Sequence, residues 1–385
     1  MSKPGAAIIG TGFMAWVHVE ALRRINIPVV GILGSNSAKT RSAAEQLDVG
    51  RAYEDLDQLL NDDAVSVVHI ATPNRLHFDM ASRSLSAGKH VMCEKPLAMN
   101  STETADLVKL AAANPHLCAA VNYNIRFYAL CRQAAAMAKR GDLGDVVHVT
   151  GSYVQDWLTE PTDYNWRLLG NVGGELRAVS DIGTHWIDLV YSITGLEIDE
   201  VCADLKTVHE IRQRPAGEVQ TFSGATSDAV SQATEPVEID TEDYGAILLR
   251  FRNGSRGCLH VSQVTPGRKN CLRFEIAGSE RSLAWNSEQP NELWVGHRNA
   301  ANEMLLRDPA LLDGVSAVDY PGGHNEGYPD SFKYSFRAFY DFVQQNDFEL
   351  AAPFASFADG HREVMVCEAI LTSHRERRWV KVPAD

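Results

Sequence analysis

The chain has 385 residues, 45% hydrophobic and 22% charged, with 50 acidic against 36 basic side chains and a net charge of -14. A single hydrophobic core stops growing near about 250–300 residues, so two domains are expected. The acidic balance argues against nucleic acid or anionic membrane as a main partner, because both need concentrated Lys and Arg. The seven cysteines (Cys93, Cys118, Cys131, Cys202, Cys258, Cys271 and Cys367) form no C-x-x-C pair and are odd in number. That pattern fits a reduced, cytoplasmic protein better than a disulfide framework. No signal-peptide core precedes the first apolar run, and no stretch approaches the roughly 18–20 apolar residues that span a membrane.

The first third alternates strand-like and helix-like segments. Short apolar strands are expected at Ala6–Ile9, Val29–Leu33, Val65–Ala71, His90–Cys93 and Cys118–Val121. Helices are expected between them at Ala15–Ile25, Ala38–Leu47, His77–Ala87 and Thr102–Ala113. Such alternation predicts a doubly wound parallel sheet. After a helix over Tyr128–Lys139, the strand signals lengthen and alternate: Val146–Val154, Val201–Val208, Tyr244–Phe251, Ser255–Gln263, Cys271–Ala277 and Ser282–Trp285. These predict a large, mostly antiparallel open sheet, flanked by helices at Asp181–Ile193, Phe332–Gln345 and Ala358–Arg375. The expected division is a doubly wound, Rossmann-type domain over 1–125 and a second α/β domain over 126–385. The polar, aperiodic stretch from Arg212 to Glu242 reads as a long surface loop.

Gly10-Thr11-Gly12-Phe13-Met14-Ala15 follows the first strand and opens the first helix. Gly10 permits a tight turn, Gly12 lets backbone approach a pyrophosphate, and the helix N-terminus offers N–H groups to it. The bland alternative is a structural glycine turn. An acid at the end of the second strand would grip the ribose of NAD and repel the 2′-phosphate of NADP. That place instead reads Gly34-Ser35-Asn36-Ser37, followed by Lys39 and Arg41. Ser35, Asn36 and a basic residue therefore point toward NADP, with NAD held through Ser35 as the other reading.

Ala71-Thr72-Pro73-Asn74 ends a buried strand, where α/β sheets meet their ligands, and His77 is placed to orient that loop. Its plainer reading is a turn and helix cap. Glu94-Lys95-Pro96 ends the next strand, with the proline biasing Lys95 to extended geometry. Asp181 and His185 stand four apart on an expected helix and share a face, against the plainer readings of a helix-start acid and a core histidine. No third ligand accompanies them, so no metal is expected.

In this order and spacing, Gly10-x-Gly12-x-x-Ala15, Ala71–His77, Glu94-Lys95-Pro96 and Asp181-x-Gly183-x-His185 resemble the Gfo/Idh/MocA oxidoreductase family over essentially the whole chain. The resemblance implies NAD(P)-dependent oxidation or reduction of a sugar, cyclitol or related polyol. It implies Lys95, Asp181 and His185 as the catalytic set and Glu94 and Lys95 beside the cofactor. On the substrate side it implies Tyr123, Asn124 and Arg126, then Trp157, Trp166 and Arg167, and His324. A homodimer or homotetramer is expected, because an open sheet needs cover on its second face. Two alternatives remain at this point: a non-catalytic dinucleotide-binding sensor or scaffold, and a reductase of a non-sugar substrate.

Overall fold

The computed structural model describes residues 3–215, 234–313 and 318–383. They divide into two compact units: residues 3–123 with 332–364, and residues 124–215, 234–313, 318–331 and 365–383. The second unit is therefore not one unbroken block after residue 125. Residues 332–364 return to the first unit because Phe332, Phe336, Phe339 and Tyr340 form a buried aromatic face there, joined by Phe354 and Phe357. The spacing of these rings forecasts a helix but not which sheet it covers.

The first unit is built on β1 (Ala6–Ile9), α1 (Phe13–Arg24), β2 (Val29–Leu33), α2 (Ser37–Gln46), β3 (Arg51–Ala52), α3 (Leu56–Leu60), β4 (Val67–Ile70), α4 (His77–Ser86), β5 (His90–Cys93), α5 (Ser101–Ala113) and β6 (Ala119–Val121). All six strands are parallel, in the order β3-β2-β1-β4-β5-β6. The chain reverses direction of winding between β1 and β4, where such sheets open their ligand crevice. β1 and β4 are buried along their whole length, which explains the apolar run of β1 and the apolar residues on either side of His69 in β4. Local signals start the helices. The Asn36 side chain accepts from Lys39 N, Asp55 from Gln58 N and Asn100 from Glu103 N, each at an N-cap. β3 and α3 escape a periodicity reading because they are only 2 and 5 residues long.

The second unit begins with α6 (Ala129–Lys139), β7 (Val146–Val154), the short α7 (Gly170–Gly173) and α8 (Thr184–Thr194). There follow β8 (Ile198–Lys206), β9 (Ile211–Pro215), β10 (Thr234–Glu238), β11 (Tyr244–Phe251), β12 (Arg256–Ser262), β13 (Cys271–Gly278), β14 (Arg281–Asn286), β15 (Glu292–His297) and β16 (Glu303–Leu306). Two long helices, α9 (Tyr328–Gln345) and α10 (Phe357–Glu376), with the segment between them, supply residues 332–364 to the first unit and their remaining residues to the second, which ends with β17 (Val380–Lys381). Nine strands form one sheet, β16-β15-β14-β13-β7-β12-β11-β8-β17, antiparallel except where β12 lies parallel to β7. The Arg212–Glu242 stretch is not all loop. β9 and β10 pair antiparallel as a separate two-stranded ribbon, and residues 216–233 lie outside the described residues.

α8 is held on the sheet by an indole. Trp186 is fully buried, and its Nε1 donates to Arg273 O at 2.9 Å. A Cβ at Gly151 on β7 would lie 2.1 Å from that nitrogen, so only glycine admits the ring. The residue before Trp186 is His185.

Candidate active site

In the first unit, Gly10 carries φ +126°, and a Cβ there would lie 2.3 Å from Ala71 O. The ends of β1 and β4 thus meet with no room for a side chain. A Cβ at Gly12 would instead meet nothing within 4 Å. Gly12 is the extended N-cap of α1 and makes no side-chain cap bond, so Thr11, Phe13 and Met14 line an open helix start. This is the cradle a pyrophosphate needs. At the end of β2, Thr40 Oγ1 accepts from Gly34 N at 2.9 Å, and Asn36 Oδ1 is engaged as the cap of α2. Ser35, Asn36 and Ser37 are all exposed at that turn.

His77 ties two strand-end loops together. It is buried, with Nδ1 2.8 Å from Pro96 O and Nε2 3.0 Å from Thr72 O. Burial lowers its pKa against the pull of those two carbonyls. One loop carries Thr72, Pro73 and the buried Asn74; the other carries Glu94 and Lys95, and the Lys95–Pro96 bond is cis. Glu94 is itself buried. His18 Nε2 stands 3.0 Å from Glu94 Oε1, and Asn122 Nδ2 donates to the same oxygen at 2.6 Å. Burial raises the Glu94 carboxyl, but the His18 hydrogen bond and charge, Lys95 and Asn122 outweigh it and hold it down to about 2. The ionised carboxylate only accepts, so His18 Nε2 carries a proton. The chain continues inward, from His18 Nδ1 to His69 Nδ1 at 3.0 Å and from His69 Nε2 to Tyr340 Oη at 3.0 Å. One arrangement satisfies every member: Tyr340 donates to His69, His69 to His18, and His18 to Glu94.

The substrate-side residues lie in the second unit, except Tyr123, which is buried at the end of the first. Asp181 does not occupy the first turn of an α-helix. It lies in a π-helical segment, Val179–Gly183, that runs into α8. The wider turn changes the simple i, i+4 geometry that spacing forecasts with His185. The buried Glu242 carboxylate anchors the segment, accepting from Arg177 N at 2.9 Å and Val179 N at 2.8 Å. Burial raises the Glu242 carboxyl in spite of these bonds. Asp181 Oδ2 accepts from Gln263 Nε2 at 3.0 Å, and Asp181 Oδ1 lies 3.4 Å from Arg167 Nε. Arg167 stacks over the Trp166 ring at 4.5 Å. His185 is 8% exposed, with the Tyr153 ring centroid 6.2 Å away.

Other expected substrate residues have structural partners. Arg126 grips Asp188 on α8 in bidentate fashion, at 2.7 and 2.5 Å, and Asn124 Nδ2 donates to Ser331 Oγ at 2.7 Å. These bonds brace both residues within the second unit. Trp157 is half-buried. His324 is exposed, and its carbonyl accepts from the buried Arg307, which also pairs with Glu326 at 2.9 Å. Among the described residues, no group of three or more His, Cys, Asp or Glu could hold a metal ion.

A family profile described as "Oxidoreductase family, NAD-binding Rossmann fold" matches residues 5–123, and one described as "GFO/IDH/MocA C-terminal domain" matches residues 131–284. The chain belongs to the GFO/IDH/MocA oxidoreductase family. Levoglucosan dehydrogenase of Pseudarthrobacter phenanthrenivorans is 28% identical over 398 aligned positions, covering 100% of this chain and 99% of that protein. A solved structure of levoglucosan dehydrogenase in complex with NADH and L-sorbose is 27% identical, with a TM-score of 0.89 and 100% of both chains covered. An oxidoreductase domain protein from Kribbella flavida is 30% identical, again with a TM-score of 0.89 and 100% of both chains covered.

Within this family fold, several supporting residues lay beyond the motif reading. A signal existed for His18 and His69, since each histidine interrupts an apolar run. Gln263, Arg177, Arg212 and Asp243 carried none, because their partners are distant in sequence.

Proposed function

We propose that the protein is an NAD(P)-dependent dehydrogenase acting on a secondary alcohol of a sugar, cyclitol or related polyol. The carrying observation is the full-length likeness, at a TM-score of 0.89, to a dehydrogenase solved with NADH and a ketose. The open Gly12 cradle at the switch point of the first sheet fits a dinucleotide. The bound dinucleotide would accept or supply the hydride at its nicotinamide ring.

In oxidation, His185 takes the hydroxyl proton on an imidazole nitrogen, because imidazole titrates near working pH. Lys95 Nζ donates a hydrogen bond to the same oxygen and stabilises its developing negative charge. The Asp181 carboxylate accepts from a neighbouring hydroxyl and so orients the ring. The carbinol carbon loses its hydrogen as hydride and the oxygen its proton, which leaves a ketone. In reduction His185 returns the proton. Trp157 and Trp166 offer apolar faces to the C–H side of a pyranose. No carboxylate ends β2 to repel a 2′-phosphate, and Ser35 with Lys39 can receive one, so NADP is the favoured form. Leu248, Met304 and Leu306 are at least 50% exposed on the nine-stranded sheet, which favours a homodimer or homotetramer; light scattering reads that assembly.

Nicotinamide absorbance, followed over a panel of sugars, cyclitols and anhydrosugars with both cofactors, tests the assignment. Lys95→Ala and His185→Ala should each lower kcat by about 100-fold or more. Near-native rates in both would reject the assigned roles. A strong preference for NAD in kcat/KM would reject NADP alone.

A further inference from the structure

Behind Asp181 lies a buried polar chain. Gln263, directly after β12, is 2% exposed, and its amide nitrogen donates to Asp181 Oδ2 at 3.0 Å. Its carbonyl accepts from Arg177 Nη1 at 2.8 Å. A guanidinium only donates, so the amide cannot flip; its N–H end is committed to Asp181. The Gln263 backbone is pinned as well, with its N–H on Asp243 O at 3.0 Å and its carbonyl receiving Leu158 N at 3.0 Å.

Arg177 is 1% exposed and bonds Asp243 through Nη2 and Thr241 Oγ1 through Nε at 3.2 Å. Asp243 is shared with Arg212, also fully buried, whose Nη2 stands 2.8 Å away. Arg212 then reaches the segment bearing Trp157 and Trp166, donating to Leu158 O at 2.9 Å, Glu160 O at 2.9 Å and Asp163 O at 3.2 Å. Burying two guanidinium groups is costly unless they are paired, and each of these is paired with Asp243 and donates to further acceptors.

We propose that Gln263 is a positioning residue for the Asp181 carboxylate, and that the Arg177–Asp243–Arg212 cluster behind it holds Asp181 and the Trp157–Arg167 segment in one fixed register. The proposal rests on the role given to Asp181 above. In that role the Asp181 carboxylate accepts from a substrate hydroxyl, which requires a defined orientation of the group. A rigid donor at one Oδ2 lone pair fixes the rotation of the carboxylate, and Arg167 limits the other oxygen. The same cluster sets the segment that carries the aromatic faces, so hydroxyl recognition and ring stacking share one foundation.

Gln263→Glu keeps an acceptor for Arg177 but turns a second carboxylate toward Asp181. Two carboxylates in contact raise one of their pKa values. The acid limb of kcat/KM against pH should therefore move up by about one unit or more. Gln263→Leu removes the donor and should lower kcat/KM by about tenfold, as loss of a hydrogen bond to a charged group does. Combined with Asp181→Asn, it should add little further loss. An unmoved acid limb in Gln263→Glu, or fully additive losses in the double variant, would overturn the positioning role. A silent Asp181→Asn would instead overturn the role of Asp181 itself, and the proposal with it.

Discussion

Behind the strand ends of the first unit, the groups linked in one buried chain are two histidines, a carboxylate, an amide and a phenol. Behind the Asp181 segment of the second, they are two arginines, two carboxylates and an amide. Both chains immobilise a residue assigned to the site. They differ in what a proton does to them. Imidazole changes charge near neutral pH, whereas guanidinium stays charged throughout the working range. The first chain can therefore be loosened by acid, and the second only by removing a partner. Stability of the first chain is set by pH, and that of the second by pairing.

The largest expected effect breaks the second chain. Asp243 lies between Arg177 and Arg212 with no exposure of its own, and these guanidinium groups together with backbone N–H groups hold its carboxyl low in spite of burial. Asp243→Asn keeps the shape and strands two buried cations. Removing one partner of a buried ion pair costs about 3–5 kcal/mol. Urea unfolding should show that loss with little dependence on pH between about 6 and 8, since no arginine titrates there. A cost under about 1 kcal/mol would mean that water reaches the cluster and that the contrast between the two chains is false.

A smaller effect follows from acid. Burial, then the charge of His18, lowers His69 well below 6.5. Burial lowers His77 as well, and lowers His90 to about 4. A histidine with a depressed folded pKa takes its proton first in the unfolded chain, so stability is full above 6.5 and falls as pH drops below it. Glu94, held near 2 against an ordinary 4.5, adds stability above 4.5 that is lost as pH falls toward 2. Both act in the same direction and in the same unit. Hydrogen exchange compared at about pH 7.5 and pH 5 should show loosening at β1, β4 and α1, with β7 and β11 protected at both. His260 in the second unit is also lowered by burial, but it is an exposed residue and its share is small. His69→Gln should flatten the response, and equal loosening of β7 would remove the contrast.

Much of this architecture was legible from residue types alone, and the parts that were not share one physical character. β2, β5, β7 and β11 have the bounds that apolar runs and alternation forecast, because burial of a sheet face is written along each strand. Gly10 and Gly12 announce their turn because backbone geometry there depends on the residue itself. The partner of Arg126 is hidden for the opposite reason: Asp188, which accepts from it, lies 62 residues on. Gln263 and Asp181 are 82 apart, and His69 and Tyr340 are 271 apart. No periodicity encodes such pairs. The π-helical turn at Asp181 is likewise invisible, since the residues around it are distant in sequence: a Cβ at Gly183 would meet Val261, and Glu242 accepts from the amides of Arg177 and Val179.

The smallest effect supplies the baseline on which the comparison depends. Asn36 caps α2 at the surface, accepting from Lys39 N at 2.9 Å, and belongs to neither buried chain. Asn36→Ala removes one satisfied amide of the first helical turn, which costs about 1 kcal/mol. Nothing that titrates takes part in that bond, so the cost should be the same at about pH 5 as at pH 7.5, while the slope of stability against pH stays native. His69→Gln should do the reverse, changing the slope. If Asn36→Ala altered the slope too, the acid response of the first unit would reflect marginal stability rather than its histidines. The two variants, measured together by urea unfolding across that range, separate a proton-sensitive core from a merely weak one.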